Sequence, residues 1–232
     1  MEKMKKSKYS KISKLLVLGL SISIAGTAAA QVEIPAGATI DSATLMVNVI
    51  IKNDQTVDVH RVTADWSELG VTWNSFGGAF DAADVGSFVA DAYGWQSVDV
   101  TDLVQAWVDG TEVNYGVLLE QGTTPFTTYA SSENANIAIR PKLEIAYTTP
   151  SGSSSVTIQR PGAVQEDVAD AYIWERSPDV NEGLSDILYT GLVNGYEKYS
   201  LIWFDFITTP PEGDGGGGHT PGFWQNKNGQ AL

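Results

Sequence analysis

Short runs of β-branched and aromatic residues recur between positions 31 and 148, separated by Gly, Asn, Asp and Pro. In the run ATLMVNVII, the alternation predicts that Leu45, Val47, Val49 and Ile51 share one face of a strand. The runs VDVHRV and KLEIAY alternate in the same way, which is typical of half-buried antiparallel strands. The pattern therefore predicts an all-β protein, an antiparallel β-sandwich of jelly-roll type.

One stretch, DVTDLVQAWVDG, has a helical pattern instead. Thr101 is suited to cap an N-terminus, Leu103 and Trp107 lie four positions apart on one face, and Gly110 is suited to end the helix. We expect one short helix at about Thr101–Val108. Trp107 is expected to be a core residue rather than a ligand platform, because a Trp at this spacing is more often buried.

The composition changes after residue 148. Residues 149–155, within TTPSGSSS, have the composition of a linker, and strand signals resume over 156–207. The sequence PPEGDGGGG then ends the pattern, so residues 208–232 are predicted to be a flexible Gly-rich tail.

The first thirty residues have the pattern of a signal peptide. Six lysines precede the apolar run LLVLGLSISI and the small-residue end GTAAA. The apolar run is about half of the roughly 20 residues that a membrane-spanning helix needs. We therefore expect residues 1–30 to be removed between Ala30 and Gln31, and the mature chain to be secreted or held at the cell surface without a membrane span.

Charge and cysteine content exclude several classes of function. Residues 1–30 contain six of the 14 Lys and Arg residues and one of the 28 Asp and Glu residues, which leaves 8 basic and 27 acidic residues in the mature chain. Such a surface repels nucleic acid and anionic lipid. The chain has no Cys, so disulfides and thiolate metal sites are excluded, and stability must come from packing or from bound calcium.

Four segments together resemble a known family. They are IPAGATIDSATLMV, VTADWSELGVTWNS, WQSVDVTDLVQAWVDGTEVNYGVLLE and YASSENANIAIRPKLEIAYT, and they cover nearly all of residues 34–148. These segments resemble the DNRLRE domain, also described as the disaggregatase-related repeat, which overlaps a family of carbohydrate-binding modules. The resemblance implies a β-sandwich and a non-catalytic role in carbohydrate binding.

The segment after the linker resembles the opening strands of the same family, so the two parts of one module occur in swapped order. In the order of the family, the IPAGA segment comes after the segments that resemble DAYIWERSPDVNEGLSDILYTG and YEKYSLIWFDF. In this chain IPAGA instead precedes both, and most of the chain lies between. Residues 156–207 are expected to complete the sandwich of their own chain, as in a circular permutation. Two alternatives remain open: donation of these strands to a neighbouring molecule, or a fragment of a tandem array.

The residues do not suggest catalysis. His60 and His219 are the only histidines, and no nucleophile elbow accompanies them. His60 is expected to be an ordinary strand residue. Asp65 and Glu68 form the least random pair of carboxylates, but their setting is typical of a turn. We therefore expect no enzymatic activity.

Sugar binding by a sandwich requires aromatic faces and neighbouring polar side chains. Residues of these types within the family-like region are the predicted ligand-binding set: Trp66, Glu68, Trp73, Trp95, Tyr129, Glu133 and Asn134.

Calcium requires six to eight oxygen ligands around a tight loop. Residues 166–186 offer such ligands, without EF-hand spacing, in Asp167, Asp170, Asp179 and Asn181. The sequence leaves open a structural calcium site or a solvated acidic loop, and it predicts no other cofactor.

These observations lead to two hypotheses of different classes. The first is an exported non-catalytic module that binds polysaccharide or a cell-surface glycan and serves adhesion. The second is a structural surface or matrix protein that assembles with copies of itself by strand donation. An accessory part of a polysaccharide-degrading enzyme is a further alternative.

Overall fold

The computed structural model describes residues 32–161 and 167–209. Within these ranges the strands are β1 (Glu33–Pro35), β2 (Thr39–Ile51), β3 (Thr56–Val62), β4 (Phe80–Val89), β5 (Gly94–Asp99), β6 (Val117–Glu120), β7 (Thr127–Ala130), β8 (Lys142–Thr149), β9 (Gly152–Gln159), β10 (Val168–Trp174), β11 (Ile187–Val193), β12 (Tyr196–Phe204) and β13 (Ile207–Thr209). Helices α1 (Trp73–Phe76) and α2 (Thr101–Val108) and a 3₁₀ turn (Ile137–Ile139) lie between strands. The predicted all-β class and the helix Thr101–Val108 are confirmed, whereas α1 was not predicted.

The strands form one curled antiparallel sheet with two halves. In the first half, the order is β4-β3-β6-β12, and β10 pairs with the other edge of β12. In the second half, β2 pairs with β5, β7 and β8, and β8 pairs with β9. Strand β11 joins the halves because its first residues pair with β7 and its last residues pair with β12. A short parallel pair, β1 with β13, lies apart from this sheet.

The main core contains buried side chains from both halves of the sheet. Val47 and Val49 of β2, and Val57 and Val59 of β3, are all buried in it, as their alternation predicted. Ile51 departs from the predicted face and is 47% exposed. The cause is a shift in register between Val49 and Ile51, where a β-bulge reverses the facing of the last residue.

A second core covers the outer face of β6, β12 and β10. The connection between β3 and β4 folds over this face, and its eight buried members are Val62, Val71, Phe76, Leu118, Ala171, Ile173, Tyr199 and Leu201. Strand β12 is therefore buried on both faces, with Ile202 and Phe204 in the main core. This explains the nearly continuous apolar run in YSLIWFDF, because a strand covered on both sides loses the polar alternation.

Helix α2 lies against β2. Ile40 N donates to Gln105 Oε1 at 2.7 Å, and Ala43 N donates to Thr101 Oγ1 at 2.9 Å. Thr101 is the first helical residue rather than the predicted cap, and its own N–H donates to Asp99 Oδ1. Trp107 is buried in the main core, which confirms the prediction made for it.

Two predicted boundaries need correction. Residues 149–155 are not a linker, because β8 and β9 form a hairpin whose pairing extends from Lys142–Gln159 to Thr149–Gly152. The hydroxyl-rich composition belongs to an exposed edge strand. Strand β13 ends at Thr209, so the predicted tail at 208–232 begins within a strand. The rest of that tail, and the predicted signal peptide with Ala30 and Gln31, lie outside the described residues.

Within residues 32–161 and 167–209, no helix has both the length and the apolar character needed to cross a bilayer.

Candidate functional site

The predicted ligand-binding residues do not form one site. Trp66 and Trp73 belong to the connection between β3 and β4 and pack, half-buried, against the second core. Trp66 Nε1 donates to Tyr115 O at 2.9 Å, and the rings of Trp73 and Tyr199 have centroids 5.1 Å apart. Both indoles therefore help to hold the connection on the sheet.

Tyr129 is corrected as a ligand-binding residue. Its side chain is fully buried in the main core, where its hydroxyl lies 2.9 Å from Thr190 Oγ1. Burial raises the pKa of the Tyr129 phenol above its ordinary range. A ring in this position has no face that a sugar can reach.

Trp95 lies on a different surface, the outer face of β5 and β2. It pairs with Asn48 of β2, and Lys142 Nζ lies 5.0 Å from the centroid of its ring. Trp95 is half-buried, so part of the indole faces solvent. Among the four predicted aromatic residues, Trp95 is the one that lies on the outer face of a sheet rather than in a core or against one.

Glu68 and Glu133 come together with a third carboxylate, that of Asp170. One oxygen from each of the three side chains lies within 4.8 Å of the others, and we call this group the carboxylate cluster. Glu68 belongs to the β3–β4 connection, Glu133 follows β7, and Asp170 is in β10. Asp170 N donates to Glu68 Oε1 at 3.1 Å, which fixes β10 against the connection.

Arg160 is the cation of this cluster. Its Nη1 donates to Glu68 Oε1 at 3.0 Å and to Ser132 Oγ at 2.8 Å, and it also contacts Glu133 Oε1. Its Nη2 donates to Glu68 Oε2 at 3.2 Å. The guanidinium thus clamps the two glutamates, in the fork geometry that arginine prefers with carboxylates.

Asp170 has the least favourable environment in the cluster. Its side chain is 1% exposed, and Oδ2 accepts a hydrogen bond from Ser132 N at 2.7 Å. No donor among the described residues reaches Oδ1, but the carboxyl lies close enough to that of Glu133 to share a proton with it. Burial raises the pKa of Asp170 well above its usual range, and the charge of Glu133 raises it further. Burial, followed by the charge of Glu68, likewise raises the pKa of Glu133.

The predicted calcium ligands separate in the structure. Only Asp170 belongs to the carboxylate cluster. Asp179 is exposed and accepts from Asn74 Nδ2 at 2.8 Å. Asn181 Nδ2 donates to the carbonyl oxygens of Glu68 and Val71, so its amide holds the β3–β4 connection. Asp167 lies immediately before β10, where its carbonyl accepts from Asp205 N at 2.8 Å. The predicted set is therefore not a single ion site.

Asn134 also has a structural role. Its Nδ2 donates to Asp186 O, and its Oδ1 accepts from Asn136 N. Both contacts hold the loop that follows β7.

A surface that the sequence did not indicate lies at one end of β10, β11 and β12. It consists of Trp174, Arg176, Tyr189, Tyr196 and Lys198, and we call it the Trp174 surface. Lys198 Nζ lies 4.4 Å from the Trp174 ring centroid and 3.9 Å from that of Tyr189. The guanidinium carbon of Arg176 lies 5.9 Å from the ring centroids of both Trp174 and Tyr196.

Three of the described Lys and Arg side chains form no ion pair: Arg140, which donates to the carbonyl oxygens of Asn134 and Arg160, and the two cations of the Trp174 surface. Four of the described basic side chains form ion pairs with carboxylates: Lys52, Arg61, Lys142 and Arg160. Within the described ranges, Lys198 and Arg176 form no ion pair and lie against aromatic rings instead. Burial lowers the pKa of Lys198, and the charge of Glu182 opposes this shift.

Residues 31–147 match the family model of carbohydrate-binding module family 96. The matched residues make up just over half of the 232-residue chain. The chain belongs to carbohydrate-binding module family 96. The match includes Glu68, Trp95 and Glu133, whereas Asp170 and the Trp174 surface lie after it. Comparison with curated proteins and with solved structures found no match.

Proposed function

We propose that this chain is an exported, non-catalytic module that binds polysaccharide through the Trp174 surface, and that it attaches a cell or an enzyme to that polysaccharide. Membership of a carbohydrate-binding module family supports carbohydrate as the partner. The observation that carries the location is the placement of the exposed Arg176, which forms no ion pair within the described ranges, beside the rings of Trp174 and Tyr196. Export and the finer DNRLRE assignment rest on the sequence alone.

Sugar recognition needs two kinds of contact, and the Trp174 surface provides both. The apolar C–H faces of a pyranose ring stack on indole and phenol rings, while its hydroxyl groups accept hydrogen bonds from N–H donors. Tyr196 is 42% exposed, whereas Trp174 is half-buried and packs with one side against the main core, so a ligand can reach the Tyr196 ring and the exposed part of the indole. Arg176 is exposed and provides a planar set of donors between these two rings.

Among the residues that the structure describes, Arg176 has no carboxylate partner, which leaves its donors available to a ligand. A guanidinium already bound to carboxylates, such as that of Arg160, would have to break strong charge-assisted bonds before it met a sugar. Arg176 interacts with rings at 5.9 Å, an exposed cation–π contact of about 0.5–1 kcal/mol. It can therefore turn toward a hydroxyl or an acidic group at little cost.

The experiment is a glycan array followed by affinity measurement with the full chain and two matched variants. Trp174→Ala removes the centre of the Trp174 surface, and Trp95→Ala removes a half-buried indole from the other surface. We expect Trp174→Ala to weaken binding by about tenfold or more, because one aromatic contact is worth roughly 0.5–1.5 kcal/mol beyond its area. Trp95→Ala should bind as the parent does.

Two outcomes would contradict the proposal in different ways. If only Trp95→Ala loses binding, the polysaccharide binds the outer face of β5 and the location is wrong. If the parent chain binds neither neutral nor acidic glycans, the function itself is wrong.

A further inference from the structure

The carboxylate cluster joins three separate segments of the chain, and its spacing matches that of ligands around a single ion. One oxygen each of Glu68, Glu133 and Asp170 lies within 4.8 Å of the other two. Calcium binds oxygen at about 2.3–2.6 Å, so two ligands of one ion lie at most about 5 Å apart. The three oxygens are therefore already close enough together to coordinate a single calcium ion.

The charges of the cluster are not balanced by its own residues. When ionised, three carboxylates carry three negative charges, and Arg160 contributes one positive charge. The side chains of Glu68 and Glu133 are 15% and 16% exposed, so water screens their charges poorly. A divalent cation would neutralise the remaining charge.

The free oxygen of Asp170 is the second observation that points to a ligand. Oδ1 is buried and no donor among the described residues reaches it, although buried carboxylate oxygens in folded proteins are almost always paired. The Asp170 carboxyl lies within hydrogen-bond reach of the Glu133 carboxyl, and two carboxyls at this distance must share either a proton or a cation. The other oxygen of this carboxylate is held by Ser132 N at 2.7 Å, so the side chain is fixed. A cation beside Oδ1 would satisfy an oxygen that the described residues leave without a donor.

We propose that Glu68, Glu133 and Asp170 bind one calcium ion, which fastens β10 to the β3–β4 connection and to the loop after β7. Calcium fits because all three ligands are carboxylates, because two lie on loops, and because calcium accepts six to eight oxygens in flexible arrangements. Bound waters supply the other positions. Arg160 remains the counter-cation of Glu68 and Glu133 on one side of the ion.

This site differs from the calcium site that the sequence suggested. Asp170 is common to both, but Glu68 and Glu133 replace Asp167, Asp179 and Asn181 as ligands. The proposal does not depend on polysaccharide binding at the Trp174 surface, so either one can fail without the other.

The test uses the full chain after dialysis against EGTA, titrated with calcium chloride in a calorimeter and melted with and without calcium. We expect one site per chain and a higher melting temperature with calcium, because the ion binds the folded state alone. Asp170→Asn and Glu133→Gln should each weaken calcium binding at least tenfold. Asp91→Asn, which removes one exposed charge elsewhere, should bind as the parent does.

The proposal is overturned if the parent shows neither heat nor a melting shift up to about 10 mM calcium, above the roughly 10⁻⁴–10⁻³ M range of weak extracellular sites. It is also overturned if Asp170→Asn binds as tightly as the parent. Asn retains an acceptor for Ser132 N, so this variant preserves that hydrogen bond. If it nevertheless fails to fold, the less buried Glu133→Gln gives the same comparison, and unchanged calcium affinity there rejects the site.

Discussion

Leu201 of β12 lies directly opposite Leu118 of β6, and both side chains are fully buried in the second core. Leu118 belongs to the part of the chain that matches the family, and Leu201 belongs to the segment that resembles the opening strands of a module. Their pairing places the second part inside the sheet of the first. Without β12, strand β6 would lose a partner and the second core would open to solvent.

Closure within one chain predicts a monomer. We expect the full chain to have the mass of one copy in light scattering across a hundredfold range of concentration. A chain without residues 156–207 should lose cooperative unfolding, because it lacks β10, β11 and β12. A mass that rises with concentration, and falls to that of one copy on this deletion, would instead support strand donation between neighbours.

Replacing Leu201 with Ala tests the second core. Leu201 is fully buried and packs in that core, so Leu201→Ala should lower the free energy of unfolding by about 2–5 kcal/mol. Leu184→Ala is the control, because Leu184 is 76% exposed and its loss should change stability by less than about 0.5 kcal/mol. Urea unfolding measures both variants, and similar losses would mean that β12 is not packed as described.

Gly116 is predicted to be irreplaceable for a steric reason. Its φ is +83°, and a Cβ at this position would lie 2.3 Å from Ile202 O. Gly37 has a similar φ of +77° but nothing within 4 Å of a Cβ, so Gly37→Ala should cost about 1 kcal/mol from the backbone alone. Gly116→Ala adds an overpacking cost of roughly 1–3 kcal/mol. Equal stabilities in thermal melts would show that β6 and β12 are not this close.

Much of the fold was predictable because period-two alternation reports burial directly. It placed Val57 and Val59 on the core face, and the four-residue spacing of Leu103 and Trp107 in the helix placed Trp107 inside the molecule. The alternation predicted the wrong face for Ile51, because a bulge there changes the register. A bulge does not alter the alternation of apolar and polar residues in the sequence, so it could not be predicted from that pattern. Composition failed at 149–155 because an exposed edge strand and a linker both favour Ser and Thr.

The candidate sites were predictable only in part, because they depend on contacts between distant segments. The sequence indicated Glu68 and Asp170 separately, but the hydrogen bond between them spans 102 positions. Tyr129 and Tyr189 are both strand tyrosines, and only the neighbouring strands determine that the first is fully buried. The one signal for the Trp174 surface was the presence of rare cations, Arg176 and Lys198, close in sequence to aromatic residues.

Lys198 predicts a pH dependence with a defined sign. Burial lowers its pKa below the ordinary value of 10.5, so between the folded-state pKa and 10.5 the unfolded chain binds more protons than the folded chain. The free energy of unfolding should therefore rise with pH across that window, relative to Lys198→Met. Lys52 is the control, because a hydrogen bond to Asp54 raises its pKa. The contribution of Lys52 to the free energy of unfolding should therefore be lost at high pH, which is the opposite trend. Urea unfolding of the parent, Lys198→Met and Lys52→Met from pH 7 upward measures both differences. A flat difference for Lys198→Met would mean that this ammonium is not buried among the rings.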